Sequence, residues 1–446
     1  MTVAPVSAAA TSGLSGSAQA VTLTVGDATP HLLAHQVQLA LNKGDTAWMI
    51  VATALVLFMT LPGVALFYGG MVRKKNLLAT MAQSVAVTVI VTILWILLGY
   101  SLSFGVGPNA GWNAVLGSFD AMMLNHVTMA TAYNAAPQLP EYLWVAYQLT
   151  FAIITPALIA GSVAERMKFS AFCLFVSLWS IFVYAPVAHW VWGGGFLQKL
   201  GVLDFAGGSV VHVNSGVAGL VAALIMGKRK GFGRDFMPPH NLALTMIGGS
   251  MLLVGWIGFN AGSEWAADAI AAVATLNTIV ATMTGALGWT VVEWIERKEP
   301  TLLGMISGMV AGLVAITPAA GFVSPGGAMV IGLAGGVVCY VGATYIKNMF
   351  KYDDSLDAFG VHAIGGFTGA LLTAVFADKN INPAAIAAAN PNIGKQLLGL
   401  VCVIVWSAVV TFVIVMICKY TTGLRVAEDE EIEGLDMSQH GEALHG

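Results

Sequence analysis

From Thr46 to Tyr420 the chain repeats one pattern, a long apolar run followed by a short polar break. A helix needs about 20 consecutive apolar residues to cross the hydrocarbon core of a bilayer. On that length the pattern predicts eleven membrane helices, at 46–70, 77–104, 142–164, 170–189, 208–227, 240–261, 267–292, 302–320, 327–349, 357–377 and 396–420. A membrane β-barrel would show alternating segments of roughly ten residues, and these runs are continuous, so a barrel is excluded.

Both ends break the pattern. Residues 1–44 are small and polar, with one lysine (Lys43) and no aromatic residue, and are expected to form a flexible outer tail. Ala18-Gln19-Ala20 resembles a signal-peptidase site. However, no basic residue precedes it and residues 1–20 hold no apolar core, so cleavage stays open. Residues 421–446 follow the last apolar run and carry a dense acidic cluster, Glu428 to Glu433. Such a run is commonly a solvated end. Here Leu424, Val426, Ile432 and Leu435 recur through it, which predicts a segment that docks on the inner face of the protein.

Composition agrees with a membrane class. Apolar residues make up 57% and charged residues 9%, against about 25% charged in soluble domains. The net charge of −4 and the lack of a basic stretch leave no footprint for nucleic acid. Cys173, Cys339, Cys402 and Cys418 are scattered singly and suggest neither a disulfide framework nor a metal site. Of nineteen Lys and Arg residues, all but Lys43, Lys199, Lys379 and Lys395 fall on one side of an eleven-span topology. The positive-inside rule then sets the N-terminus outside and the C-terminus inside.

An internal repeat is visible. Val211-His212 is followed by Gly216 and Gly219, and Val361-His362 by Gly366 and Gly369. Asp204 and Asp354 each lie eight residues before their histidine, and Ala-Ile-Ile-Thr-Pro-Ala at 152–157 matches Ala-Ile-Thr-Pro-Ala at 315–319. The matched segments are five helices apart, so the halves have opposite orientation. An inverted repeat of this kind places a substrate path between its halves, near the bilayer midplane.

His212 and His362 are the leading candidates for chemistry, because ionisable residues inside membrane helices usually face a pathway. As core histidines each would need only a backbone carbonyl; as a repeat-related pair they can share one hydrogen bond and line a narrow pore. Two histidines without a third ligand make a poor metal site. Asp204, before Phe205-Ala206-Gly207-Gly208-Ser209, is expected to cap the fifth helix and to bias an outer vestibule toward cations. Asp354 is expected to cap the tenth. Phe151, Trp192, Trp256 and Phe259 belong to the outer third of the span, where aromatic belts are common. Trp256, Phe259 and Ser263 nevertheless share a helix face, and a hydroxyl beside aromatic rings suits a small cation.

Thr60-Leu61-Pro62-Gly63-Val64-Ala65-Leu66-Phe67-Tyr68-Gly69-Gly70, Asp204 through Asn214, and Gly258-Phe259-Asn260-Ala261-Gly262-Ser263 resemble the ammonium transporter superfamily of Amt, Mep and Rhesus proteins. The resemblance covers about residues 45–440 and is closest to bacterial Amt proteins. It implies an eleven-helix, two-fold pseudosymmetric protomer, a homotrimer with one pore per protomer, and a bacterial inner membrane. It also implies that Trp192, Phe151 and Ser263 recruit ammonium and that Phe151 and Phe259 form a stacked gate. His212 and His362 would be the twin histidines of a dry pore, Asp204 an aspartate needed for transport and Thr317 a pore-wall residue. Tyr147 stands where bacterial members often have Phe, and the outer tail is longer than usual. The tail at 421–446 resembles those that bind PII-type (GlnK-class) signal proteins. The implied function is passage of ammonium and ammonia without enzymatic activity or a cofactor. An ammonium sensor with little flux is the alternative, although no kinase or cyclase segment follows the eleventh helix. An intramembrane enzyme would need a nucleophile or metal beside the histidines, and no motif supplies one.

Overall fold

The computed structural model describes residues 35–444 and is nearly all helical. Residues 1–34, with the possible cleavage site at 18–20, lie outside the described residues. The helices are α1 (Lys43–Met71), α2 (Lys74–Phe104), α3 (Glu141–Val163), α4 (Phe169–Leu200), α5 (Gly208–Met226) and α6 (Leu242–Glu264). They continue as α7 (Ala269–Arg297), α8 (Leu302–Ile316), α9 (Pro325–Phe350), α10 (Phe359–Phe376) and α11 (Ile393–Thr421). Among the described residues ten of these are long and apolar enough to cross a membrane, and α8 is the shorter exception.

The shortness of α8 corrects the expected span 302–320. Pro318 cannot donate a backbone hydrogen bond and its ring clashes with the preceding turn, so the helix stops at Ile316. The chain then turns through Thr317-Pro318, and Pro318 O accepts from Phe205 N at 3.1 Å. The matched proline of the first half, Pro156, instead sits inside a continuous α3.

Small residues let these helices approach closely where lipid-like side chains would hold them apart. A Cβ on Gly285 of α7 would lie 2.5 Å from the Gly312 Cα of α8, and one on Gly336 of α9 would lie 2.1 Å from the Gly285 carbonyl oxygen. The same device joins the two repeats. A Cβ on Gly216 of α5 would meet the Ala363 backbone nitrogen at 2.4 Å, and one on Gly366 of α10 the Gly208 carbonyl oxygen at 2.6 Å. Helices α5 and α10 therefore cross backbone to backbone next to His212 and His362. Each opens with a π-helical turn that contains its histidine, Gly208–Val213 and Phe359–Ala363.

The expectation of a flexible tail through residue 44 fails for residues 35–44. Strand β1 (Gln36–Gln38) pairs antiparallel with β2 (Thr131–Tyr133), and the Asn42 side chain caps α1. The driving contact is the buried Glu141 carboxylate at the start of α3. It accepts from Gln36 Nε2 at 2.6 Å and from Tyr100 Oη at 2.7 Å, and His35 Nε2 lies 3.6 Å away. The side of the molecule carrying β1 and β2 is called the sheet face below.

On the opposite face the chain ends in α12 (Glu428–Glu433) and α13 (Leu435–His440), which lie against the bundle. Asp436 Oδ1 accepts from Ala79 N at 2.8 Å, and Leu435 N donates to Asn76 Oδ1 at 2.9 Å. Asp436 thus satisfies an open amide in the first α-helical turn of α2, which follows the 3-10 turn Lys74–Asn76. Arg425 and the Lys230 amide both reach Glu431. Leu424, Val426 and Leu435 are buried as expected, whereas Ile432 points outward and is 60% exposed.

Beneath the tail lies a buried ion cluster. Arg229 bridges Asp353 and Glu165 at 2.8 and 2.9 Å, and Arg73 joins Glu165 at 2.9 Å. Burial pushes the Glu165 carboxyl up, but Arg229 and Arg73 outweigh it and hold it below the ordinary range. The cluster ties the loops after α1, α3 and α5 to the loop before α10.

Candidate functional site

Three cavities lie in sequence along the α5–α10 crossing. The first, about 580 Å³, opens at the sheet face and is lined by Trp192, Asp204, Phe205, Ser263, Glu264 and Trp265 among others. The second is a void of about 10 Å³ bounded by Phe259, Trp256, His212, His362, Ile154 and Leu158 among others. The third, about 190 Å³, leads toward the tail face past His362, Tyr68, Ser307, Thr301, Tyr340 and Asp357. His362 borders both the second and the third.

Between the first and second cavities stand two rings. Phe151 of α3 and Phe259 of α6 stack with centroids 4.3 Å apart, and Trp192 of α4 meets Phe151 edge-on at 5.8 Å. Both phenylalanines are fully buried. At the neighbouring end of α6, Ser263 Oγ donates to Phe259 O at 2.8 Å and lies 3.3 Å from Tyr147 Oη. Tyr147 in turn donates to the carbonyls of Gly258 and Phe259. Oxygen atoms beside aromatic faces can replace water around a small cation through hydrogen bonds and cation–π attraction.

Below the rings the imidazoles of His212 and His362 are nearly parallel, with centroids 5.3 Å apart and Nδ1 atoms 3.3 Å apart. One Nδ1 carries the proton and the other accepts it, so the pair fixes opposite tautomers. His212 Nε2 is buried and has no hydrogen-bond partner among the described residues. A void of about 10 Å³ holds roughly one water-sized molecule. A single small polar molecule can therefore meet an imidazole nitrogen here while apolar side chains surround it.

The structure brings Phe151, Trp192, Phe259 and Ser263 together as expected, but moves three other residues. Trp256 does not join Ser263. It stacks on His212, with centroids 5.2 Å apart and an interplanar angle of 16°, on the far side of the phenylalanine pair. Seven residues of helix separate Trp256 from Ser263, about 10 Å of rise, so a shared face does not mean a shared depth. Thr317 lines none of the three cavities. Its hydroxyl accepts from Trp256 Nε1 at 2.8 Å and donates to Leu313 O at 2.8 Å, holding the indole from behind.

Asp204 borders the first cavity, yet its oxygens turn inward. They accept from the amides of Gly207, Gly208, Ser209 and Val210 and from the Ser209 hydroxyl. This is the expected cap of α5, carried to saturation, and neither Asp204 nor Thr317 joins the histidines in a hydrogen-bonded chain. Trp192 Nε1 donates to Asp204 O at 2.9 Å, so the cap also positions the indole over Phe151. Asp354 caps α10 by accepting from Phe359 N at 2.7 Å.

Tyr147 and Tyr68 were not singled out from sequence as site residues. Tyr147 lies one helical turn before Phe151, a spacing that could have flagged it. Tyr68 lines the second and third cavities and donates to Leu158 O across 90 residues of sequence, which no local pattern reveals.

Three cavities in line, separated by a ring pair and a buried imidazole pair, run through the core of a polytopic helical membrane protein. The model of the Ammonium Transporter Family matches residues 47–444, and the chain belongs to that family. An ammonium transporter of Aquifex aeolicus is 48% identical over 407 residues, covering 91% of this chain and 94% of the relative. The crystal structure of Saccharomyces cerevisiae Mep2 superposes with a TM-score of 0.80 at 33% identity, covering 87% of this chain and 89% of that one. A solved Sensor Amt Protein superposes at 0.82 with 27% identity, covering 89% and 98%. The chain is thus an ammonium transporter in its membership and its architecture.

Proposed function

We propose that the chain carries ammonium across a bacterial inner membrane by admitting NH4+ and conducting NH3. In this reading the sheet face is outside, a placement the distribution of Lys and Arg supports, and all eleven helices span. Ser263, Trp192 and Tyr147 receive the cation above the Phe151–Phe259 pair. Moving an intact cation into a dry void would cost several kcal/mol, by the rough scale of burying an ion. The ion therefore leaves its proton behind or passes it to the imidazoles, and ammonia crosses beside Trp256 and the His212–His362 pair. Ammonia leaves past His362 and is reprotonated in the third cavity. The observation that carries this reading is the 3.3 Å imidazole contact inside a void of molecular size.

The protomer of residues 45–420 acts within a homotrimer, and residues 421–446 form a regulatory tail that, with the inner face, receives a PII-type signal protein. Reconstituted vesicles test the transport reading. Methylammonium should accumulate against empty controls, and membrane currents in the same preparation should report whether the proton follows. Absence of uptake above empty vesicles would remove the reading.

A sensor is the second reading, favoured by the structural likeness to the Sensor Amt Protein. It predicts saturable ammonium binding to the purified trimer with no uptake in the same vesicles.

A further inference from the structure

Among the described residues the first cavity is lined by no Lys, Arg or His side chain, and its two carboxylates differ in state. Those of Asp204 are taken up by five donors of its own cap. Glu264 is half-buried in the cavity wall, immediately after Ser263, and no hydrogen bond or ion pair engages its carboxylate among the described residues. A partly buried carboxyl without a partner is costly to ionise unless a cation comes to it.

Its backbone is held firmly. Glu264 closes a 3-10 turn from Gly262, and Trp265 follows in the left-handed region at φ 61°. Trp265 packs edge-on against Trp144 at 4.7 Å and its carbonyl accepts from Gln138 Nε2 at 3.0 Å. Ala267 N donates to Asp45 Oδ1 at 2.9 Å. Asp268 adds a second negative charge on the same loop while capping α7. The loop thus fixes the Glu264 carboxyl in the cavity wall ahead of the ring pair, where an arriving cation favours its ionised form.

We propose that Glu264 forms an outer cation station, one step before Ser263 and Trp192, which collects hydrated ammonium and small alkylammonium ions from solution. Concave walls of one sign concentrate counter-ions, and the effect weakens as salt screens it. The station rests on the transport reading but adds a residue and a role to it: Glu264 sets the concentration of cation at the mouth, not the rate of passage through the rings.

The test is methylammonium uptake by wild type, Glu264→Gln and Glu264→Asp in vesicles, each at low and high salt. Glu264→Gln should raise KM roughly three- to tenfold at low salt, the span expected for one charge several ångströms from the ion. Vmax should hold, and the salt dependence of KM seen in wild type should flatten. Glu264→Asp keeps the charge and should stay near wild type. An unchanged KM and salt response in Glu264→Gln, with wild type active, overturns the station and leaves transport standing. Equal defects in the Asp and Gln variants also overturn it, since shape and not charge would then be at work. An inactive wild type would sink the transport reading itself.

Discussion

The indole of Trp256 donates to the hydroxyl of Thr317, and that hydroxyl donates onward to Leu313 O. Thr317 is the residue at which α8 gives way to Pro318, so the end of one helix fixes the aromatic wall of the pore on another. Replacing Thr317 by Val keeps the volume and removes the acceptor. A buried N–H left unpaired costs about 1–3 kcal/mol. The variant should melt at lower temperature and transport several times more slowly, while Thr317→Ser should keep both properties. Thermal unfolding and initial uptake rates measure the two, and wild-type values in Thr317→Val would show that the anchor has no consequence.

His212 and His362 can be separated by substitution. Either His-to-Ala change removes a nitrogen from the void and leaves the α5–α10 glycine contacts in place. Flux should fall by at least about tenfold, the low end for loss of a positioned proton-handling group, or the charge moved per molecule should change. Trimer assembly should persist on gel filtration. Normal uptake together with normal current in both variants would deny the pair its role.

Asp204 should tolerate no shortening. Asp204→Ala strips the acceptor from four backbone amides, and loss of an N-cap alone costs about 0.5–2 kcal/mol. The start of α5 and the indole of Trp192 should loosen together, so uptake should be nearly abolished. Asp204→Glu, with one methylene too many, should recover only part. Full uptake by Asp204→Ala would contradict the role given to the cap.

Deleting residues 424–446 uncovers Ala79 N and Asn76 Oδ1 and removes the Arg425–Glu431 pair. The helices and trimer should survive, uptake should drop, and binding of a PII-type protein to the purified transporter should weaken. A single change, Asp436→Ala, should shift all three in the same direction by less. Unaltered uptake and binding in the truncated form would reduce the tail to an ornament of the surface.

The helical class was legible because bilayer thickness imposes a run length on the sequence, and the histidine pair because a repeat writes it twice. Depth was harder. The spacing from Trp256 to Ser263 fixes a helix face, while the level of each side chain depends on where α6 meets α5 and α8. Thr317 could be recognised by its Thr-Pro motif, but not by its partner, 61 residues away in the chain. The sheet of Gln36–Gln38 with Thr131–Tyr133 had no apolar alternation to announce it. Glu141 anchors its Gln36 side chain, and that contact appears only once α3 is in place. For the tail, the aliphatic spacing foretold docking, and the outward turn of Ile432 shows that four evenly spread apolar residues need not share a surface.

The crossing at Gly216 and Gly366 has a mechanical corollary. At these two glycines each repeat packs against the main chain of the other, so rocking one half against the other would break van der Waals contact on both sides at once. On that scaffold the Phe151 and Phe259 rings, stacked and buried, are the parts that would have to separate for a solute to pass. Under the transport reading proposed above, such a device would act as a flap valve in a fixed pipe: it would need no cycle of inward and outward states, and its throughput would follow how often two rings part.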